Sequence, residues 1–346
     1  MTFLSSAITS APSRSSNILQ NLRRSVSLNP HFLKRGIKTL TVNAGSTTLK
    51  YSLYDVSRRA GASALESKLI ASGLVDKVGT NEQGSITHNN SLVVSDMIPS
   101  HTTGFGMLLD VLKANENIET NDIECVGHRV VHGGSTFSKP TIITTNVLRE
   151  IKKLSSLAPL HNPPAASGIE ASQIAFPSAT QVAVFDTAFH ATMPPPSYRY
   201  AIPKDLYEDH GIRKYGFHGT SYHYVMEATA KHLGKNSSDL NLIVMHLGGG
   251  ASMCCIKNGQ SVDTTMGLTP LEGLVMATRS GDLDPGIYDY MLKNGYTEDG
   301  VYTTLNKESG LIGLAGRSSD MRIIKENAQK GDSDCRLARE VFSERW

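Results

Sequence analysis

Residues 242–286 read LIVMHLGGGASMCCIKNGQSVDTTMGLTPLEGLVMATRSGDLDPG. Leu242 to Met245 is a short apolar run of the kind that makes a buried strand. His246 and Leu247 follow, and then three consecutive glycines, Gly248, Gly249 and Gly250. A backbone without Cβ turns sharply and brings its N–H groups close to a ligand. A second strand then runs to a turn at Asn258-Gly259, and the stretch ends in the polar run Arg279-Ser280-Gly281-Asp282. Taken alone, the three glycines suit a tight hairpin and a phosphate loop equally well. A second strand–glycine–strand unit, near the start of the chain, favours the phosphate loop.

That unit is TLTVNAGSTTLKYSLYDV, residues 39–56. Leu40 and Val42 lead into the small polar turn Asn43 to Thr48, after which Leu49, Tyr51 and Leu53 alternate with polar residues as in a half-buried strand. A third strand is expected around Leu69 to Val75, and an amphipathic helix from Thr102 to Asn115. Ile123 to Val131 reads as a strand delivering His128, Arg129 and His132 to Gly133-Gly134. A helix begins at Leu160-His161-Asn162-Pro163, with proline in the first turn where its missing N–H costs nothing. Val182 to Phe185 is a further strand ending in Asp186, and Thr220 or Ser221 is placed to cap a helix running to Gly234. Residues 39–235 thus supply β-β-β-α-β-α-β-α, and residues 242–264 begin the pattern again. Beyond Arg279 the chain reads as helical, with Pro285 at one helix start, Asn294-Gly295 at its stop, and Thr297 and Ser318 as caps. The pattern implies an α/β protein of two related domains, 39–235 and 236–346, the second beginning a sheet that it does not complete.

Charge sorts the chain into two parts. Residues 1–38 hold six basic residues and no acidic one; the remainder holds 28 basic against 32 acidic. A body of that sign does not favour non-specific nucleic-acid binding, and no apolar run approaches the roughly 20 residues needed to span a bilayer. The first 38 residues, rich in Ser and Arg with Ile18, Leu19, Leu22 and Val26 at helical spacing, have the composition of an organelle transit peptide, mitochondrial before plastid; a disordered basic tail on a cytoplasmic protein is the alternative. Cys125, Cys254, Cys255 and Cys335 show no CxxC spacing. Adjacent cysteines on a strand point to opposite faces, so reduced structural thiols are expected.

The chemistry-bearing residues sit at element ends. Gly45-Ser46 and Gly248 to Gly250 are turns able to hold a polyphosphate with backbone donors, and Lys50 follows the first as a point charge. Arg129 and Arg279 each stand beside glycine near an apolar element, and arginine grips carboxylate or phosphate bidentately. A surface ion pair is the plainer reading of either arginine, and a solvated strand residue that of Lys50. Asp186 lies at the carboxyl end of a strand, where α/β sheets place ligands. His161, His218 and His246 form no metal-ligand spacing, and the P-loop, GxSxG and kinase HRD/DFG signatures are missing from the sequence.

Six separate motifs together resemble one family. Asn43-Ala44-Gly45-Ser46, Gly127 to Gly134 (GHRVVHGG), Leu157 to Pro163 (LAPLHNP), Val184 to His190 (VFDTAFH), Tyr215 to Ser221 (YGFHGTS) and Asp263 through Pro285 are similar to those of the acetate kinases. The resemblance runs from residue 40 to about 325. It implies the fold of acetate and sugar kinases, Hsp70 and actin, in which two duplicated ribonuclease-H-like domains hold the active site between them. It also implies reversible phosphoryl transfer from ATP to acetate, giving acetyl phosphate and ADP, with Mg²⁺ and as a homodimer. By position, Asn43 corresponds to a magnesium contact. Ser46, Lys50, the segment His246, Leu247, Gly248, Gly249, Gly250, and Asp320-Met321-Arg322 correspond to nucleotide contacts. Arg129 and Arg279 correspond to the arginines on acetate and the transferring group, His218 and Arg279 to transition-state stabilisers, and Asp186 to the catalytic aspartate. Val131, Leu160 and Pro270 correspond to the apolar pocket of the acetate methyl.

The physics agrees with these roles. Phosphoryl transfer needs in-line placement and charge stabilisation more than covalent help. Acetate is already an anion at neutral pH, so Asp186 is expected to position Mg²⁺, its water or Arg279 rather than to take a proton. Thr47-Thr48 and Gly249 depart mildly from the family pattern. The family's late strand, glycine loop and magnesium-linked glutamate have no counterpart before Trp346. Alternatives are therefore a propionate or butyrate kinase, or an inactive nucleotide-binding remnant with unburied apolar surface.

Overall fold

The computed structural model describes residues 36–57 and 65–344. By compactness the chain divides after Ala188 into two units, 1–188 and 189–346. The basic leader read from the sequence lies almost wholly outside the described residues.

The first unit is built on an eight-stranded sheet ordered β5-β4-β3-β2-β1-β6-β8-β7. β1 (Ile37–Ala44) and β2 (Thr48–Ser57) form the antiparallel pair expected of 39–56, in register from Ile37 opposite Val56 to Ala44 opposite Leu49. The turn between them is closed by Gly45 N donating to the Thr48 carbonyl at 2.7 Å, and His101 Nε2 donates to the Gly45 carbonyl at 2.9 Å. Leu40, Val42, Leu49, Tyr51 and Leu53 are buried, as the apolar alternation requires. β3 (Glu66–Asp76) extends the antiparallel half. On the other side β6 (Ile123–Val130) runs parallel to β1, and β8 (Thr180–Phe185) parallel to β6, with the two-residue β7 (Thr141–Ile142) at the edge. Helices α1 (His101–Glu116) and α3 (Asn162–Ala175) belong to the same core, where Phe105 meets Phe176 edge-on at 5.9 Å.

Among the elements that were not expected, two add to this unit's sheet and helices. One is the hairpin of β4 (Gly84–His88) and β5 (Ser91–Asp96). Its turn, Asn89-Asn90, has φ of 49° and 67°, the left-handed pair that a two-residue hairpin turn requires and that asparagine tolerates. These strands are short and polar, and buried Ile86 against β3 holds them more than their own propensity. The other is α2 (Thr145–Lys153), capped by Thr144 accepting from Val147 N at 3.3 Å.

The second unit holds a three-stranded antiparallel sheet, β11-β10-β9, from β9 (Leu242–Leu247), β10 (Ala251–Lys257) and β11 (Gln260–Thr264). The Asn258-Gly259 turn has φ of 49° and 73°, as that dipeptide predicts. Cys254 is buried and Cys255 exposed, and both are free thiols with Cys125 and Cys335. Helix α4 (Gly219–Leu233) was expected to close the first domain at 235. Instead its Tyr222, Met226 and Ala230 share a core with Val244, Cys254 and Ile256. That shared burial assigns the helix to the second sheet and moves the division back to Ala188.

No strand follows Thr264 among the described residues. β9 lies at the sheet edge there, with Ile243, Met245 and Leu247 exposed on alternate positions. Two caps shift from expectation. α4 begins after His218, not at Thr220 or Ser221, and the helix Met321–Gln329 is capped by Asp320, whose carboxylate accepts from Arg322 N at 2.8 Å. Ser318 supports that cap by accepting from Asp320 N at 3.0 Å.

Candidate active site

In the first unit Asn43, Ala44, Gly45, Thr48, Lys50, Arg129, Val131, Leu160, His161 and Ala165 line a cavity of about 180 Å³. Its floor comes from the β1–β2 turn, where Asn43 and Lys50 are cross-strand partners. Its cationic wall comes from the end of β6. Asn162, fully buried, secures that end: its Oδ1 accepts from His132 N at 3.1 Å and its Nδ2 donates to the His132 carbonyl at 3.0 Å. The loop holding Val131 is thereby pinned beside the start of α3, where Leu160 lies.

Arg129 is not a lone surface cation. Its Nε donates to Asp186 Oδ1 at 3.1 Å and Oδ2 at 3.2 Å, and its Nη2 to Oδ2 at 2.6 Å. The Asp186 side chain is 2% exposed and that of Arg129 34%. The adjacent carboxylate raises the guanidinium's pKa above its ordinary value, burial opposing it. The Asp186–Arg129 contact was not among the roles expected of Asp186, which were to orient Mg²⁺, its water or Arg279. Sequence separation of 57 residues hid the pair, which the parallel register of β6 and β8 brings together.

In the second unit, the Gly248–Gly250 segment joins β9 to β10 as a hairpin, with Gly248 N donating to the Gly250 carbonyl at 3.0 Å. None of these glycines has positive φ, so backbone permissiveness does not explain them. Space does for one of them: a Cβ on Gly250 would lie 3.3 Å from His218 Cε1 and Nε2 and 3.6 Å from Arg279 Nη1. The loop, His218 and Arg279 therefore converge. Arg279 Nη1 donates to the Pro270 carbonyl at 3.0 Å, so Pro270 meets the arginine through its backbone. His218 has φ 56°, an uncommon conformation for a residue with a Cβ and one frequent at functional sites.

The remaining sequence candidates lie in plain view. Ser46 is exposed at the tip of the first turn and is not among the cavity residues; Thr48, two positions on, is. Leu247 is exposed beside the glycine loop. Asp320 caps its helix and binds Arg322 at 2.6 Å, and Met321 opens that helix. Ala44, Thr48 and Ala165 were not singled out as site residues, and Gly45 and His161 were weighed without being given a role by the resemblance, although Ala44, Gly45 and His161 lie inside the motifs that carry it.

Among the described residues no three of His, Cys, Asp and Glu gather as a metal cluster. A resident metal does not suit this wall. Magnesium that arrives on nucleotide phosphates does, because it keeps several waters and needs few protein oxygens. Asn43, whose side chain carries an amide oxygen, is among the residues lining the cavity.

Comparison with known proteins identifies relatives over most of the chain. The model of the acetokinase family matches residues 38–346. A Listeria monocytogenes protein named acetate kinase 2 is 45% identical over 312 residues, covering 89% of this chain and 77% of the relative. The Bacillus subtilis acetate kinase is 44% identical over 313 residues, with the same coverage. Among solved structures, Porphyromonas gingivalis acetate kinase superposes with a TM-score of 0.80 at 38% identity, covering 89% of this chain and 77% of that one. A propionate kinase from Francisella tularensis also gives 0.80, at 43% identity, covering 89% and 78%.

Proposed function

The chain belongs to the acetokinase family, and on that premise we propose that it transfers the terminal phosphoryl group of ATP to acetate, reversibly, giving acetyl phosphate and ADP. The observation that carries the reading is Arg129. Its guanidinium, fixed by Asp186, stands in a small cavity beside Val131 and Leu160. A fixed N–H fork next to two aliphatic side chains suits a carboxylate with a very short tail.

In this reading the acetate oxygen attacks the terminal phosphorus as the bond to the bridging oxygen of ADP breaks, and no proton moves. Asp186 neutralises most of the charge of Arg129, so Arg129 contributes directed N–H donors more than net charge. Lys50 supplies the net positive charge in the cavity. In the second unit Arg279, His218 and the Gly248–Gly250 loop serve the phosphates, with donors aimed where charge spreads over the equatorial oxygens. Magnesium, when bound with the nucleotide, neutralises phosphate oxygens, and Asn43 would hold it. We propose a homodimer, as the resemblance to the family implies, and sedimentation velocity tests it.

A second reading, propionate as acceptor, has the Francisella structure in its favour. Trapping acyl phosphate as the hydroxamate, with ATP, Mg²⁺ and acetate, propionate or butyrate in parallel, decides. Highest kcat/KM for acetate is expected. Preference for propionate supports the second reading, and no acyl phosphate from any acid by the folded chain overturns both in favour of a nucleotide-binding remnant.

A further inference from the structure

Two serines and two histidines of the second unit form a crossed clamp. His218 immediately precedes α4, and Ser221 lies in its first turn. His246 and Ser252 are register partners on β9 and β10. His218 Nδ1 lies 2.7 Å from Ser252 Oγ, and His246 Nδ1 lies 2.9 Å from Ser221 Oγ. The His218 ring, at the start of α4, is therefore held by a hydroxyl of the sheet, and the His246 ring, in the sheet, by a hydroxyl of α4. The rings stack between the serines, their centroids 4.0 Å apart and their planes 22° from parallel.

An imidazole carries its two nitrogens on different edges, so engaging Nδ1 decides where Nε2 points. Here Nε2 of His218 is 3.3 Å from the site of a Gly250 Cβ, and Nε2 of His246 is 3.4 Å from that of a Gly248 Cβ. Both face the glycine loop. Ser252 is completely buried, and its hydroxyl also meets the Tyr222 hydroxyl. Burial raises the Tyr222 phenol well above its ordinary pKa, so it keeps its proton and can donate.

We propose that Ser252, backed by Tyr222, and Ser221 are positioning residues that hold the ring proton of His218 and His246 on Nε2, so that both rings offer an N–H donor to phosphate oxygens over Gly248–Gly250. The inference rests on the phosphoryl-transfer reading above for what the donors meet, and on the geometry alone for the tautomer. In the neutral ring of His218, Tyr222 donates to Ser252 Oγ, Ser252 donates to Nδ1, and the ring hydrogen stays on Nε2. When the ring gains a second proton, Nδ1–H donates into the same oxygen, the Ser252 hydroxyl turns to Tyr222, and the phenol hydrogen turns to the Thr264 hydroxyl that Tyr222 also contacts. Nε2 keeps its hydrogen in both states.

The test is ¹H–¹⁵N correlation of the imidazole nitrogens in the histidine-labelled full chain, with His218→Gln and His246→Gln for assignment. Both rings are expected to be Nε2–H in the wild type. Ser252→Ala is expected to populate Nδ1–H at His218 and to lower kcat by about 10- to 100-fold, with KM for acetate unchanged. Ser252→Thr, which keeps the hydroxyl, is expected to return the tautomer. Ser221→Ala reads out the same change at His246 from a half-buried position that tolerates truncation. A wild type carrying Nδ1–H at either ring overturns the proposal, as do alanine variants that retain both tautomer and kcat. A wild type that makes no acyl phosphate yet shows both Nε2–H tautomers fails the functional reading and leaves the clamp standing.

Discussion

Asp186 lies two residues beyond Val184, the strand partner of Arg129, and its carboxylate holds that guanidinium through Nε and Nη2. Parallel pairing of β6 and β8 thus makes one forked contact out of residues from two motifs. The pair sets the direction in which the rest of the guanidinium points, and so fixes that end of the cavity.

Asp186→Asn should keep the fold and lose that fork. With Arg129 one-third exposed, water screens the orphaned cation, and the stability cost is about 1–3 kcal/mol rather than the larger penalty of a fully buried charge. Misplacing the guanidinium by an ångström is expected to lower kcat by about 10²-fold. Urea unfolding and steady-state kinetics on one preparation separate the two. An Asn variant with wild-type kcat would sink the positioning role.

Val131 and Leu160 line the cavity, and in the proposed reading they set the size of the tail that the acid can carry. Val131→Ala removes two methyl groups and makes room for one more methylene. The ratio of kcat/KM for propionate to that for acetate is expected to rise about 10-fold or more, the usual worth of a methylene in an apolar pocket. An unchanged ratio would place the alkyl group elsewhere.

Gly250 and Gly249 should respond differently to alanine. A Cβ at Gly250 crowds the His218 ring edge at 3.3 Å, while one at Gly249 meets nothing within 4 Å. Gly250→Ala is expected to displace the ring and lower kcat. Gly249→Ala is expected to leave Tm unchanged and to raise KM for ATP alone, because only a bound nucleotide could feel it. Equal effects on kcat from both would contradict the convergence at Gly250.

His128, 2% exposed, places Nε2 2.7 Å from Gln181 Oε1. Burial pulls its pKa down to about 4, the glutamine opposing. The folded state therefore binds fewer protons than the unfolded chain between the ordinary histidine value near 6.5 and about 4. Stability is full above that window and falls as pH drops through it, by on the order of 3 kcal/mol from this residue. Urea midpoints from pH 7.5 to 4.5 should decline, and less steeply in His128→Gln. Parallel curves would exclude His128 as a source.

The sequence by itself determined the strand–turn–strand units at both ends, the strands that deliver Arg129 and Asp186, the family, and the motif residues. Each is written locally, in the alternation of Leu40, Val42, Leu49 and Tyr51, in turn dipeptides such as Asn258-Gly259, and in short words such as GHRVVHGG. The tertiary structure decided the partners. It joined Arg129 to Asp186, drew α4 onto β9 and β10, paired the polar hairpin around Asn89-Asn90, and crossed Ser252 and Ser221 onto the two histidines. Hydrogen bonds between residues tens of positions apart depend on strand register and helix seating, which follow from how whole apolar faces are buried and leave no mark at the bonded residues themselves.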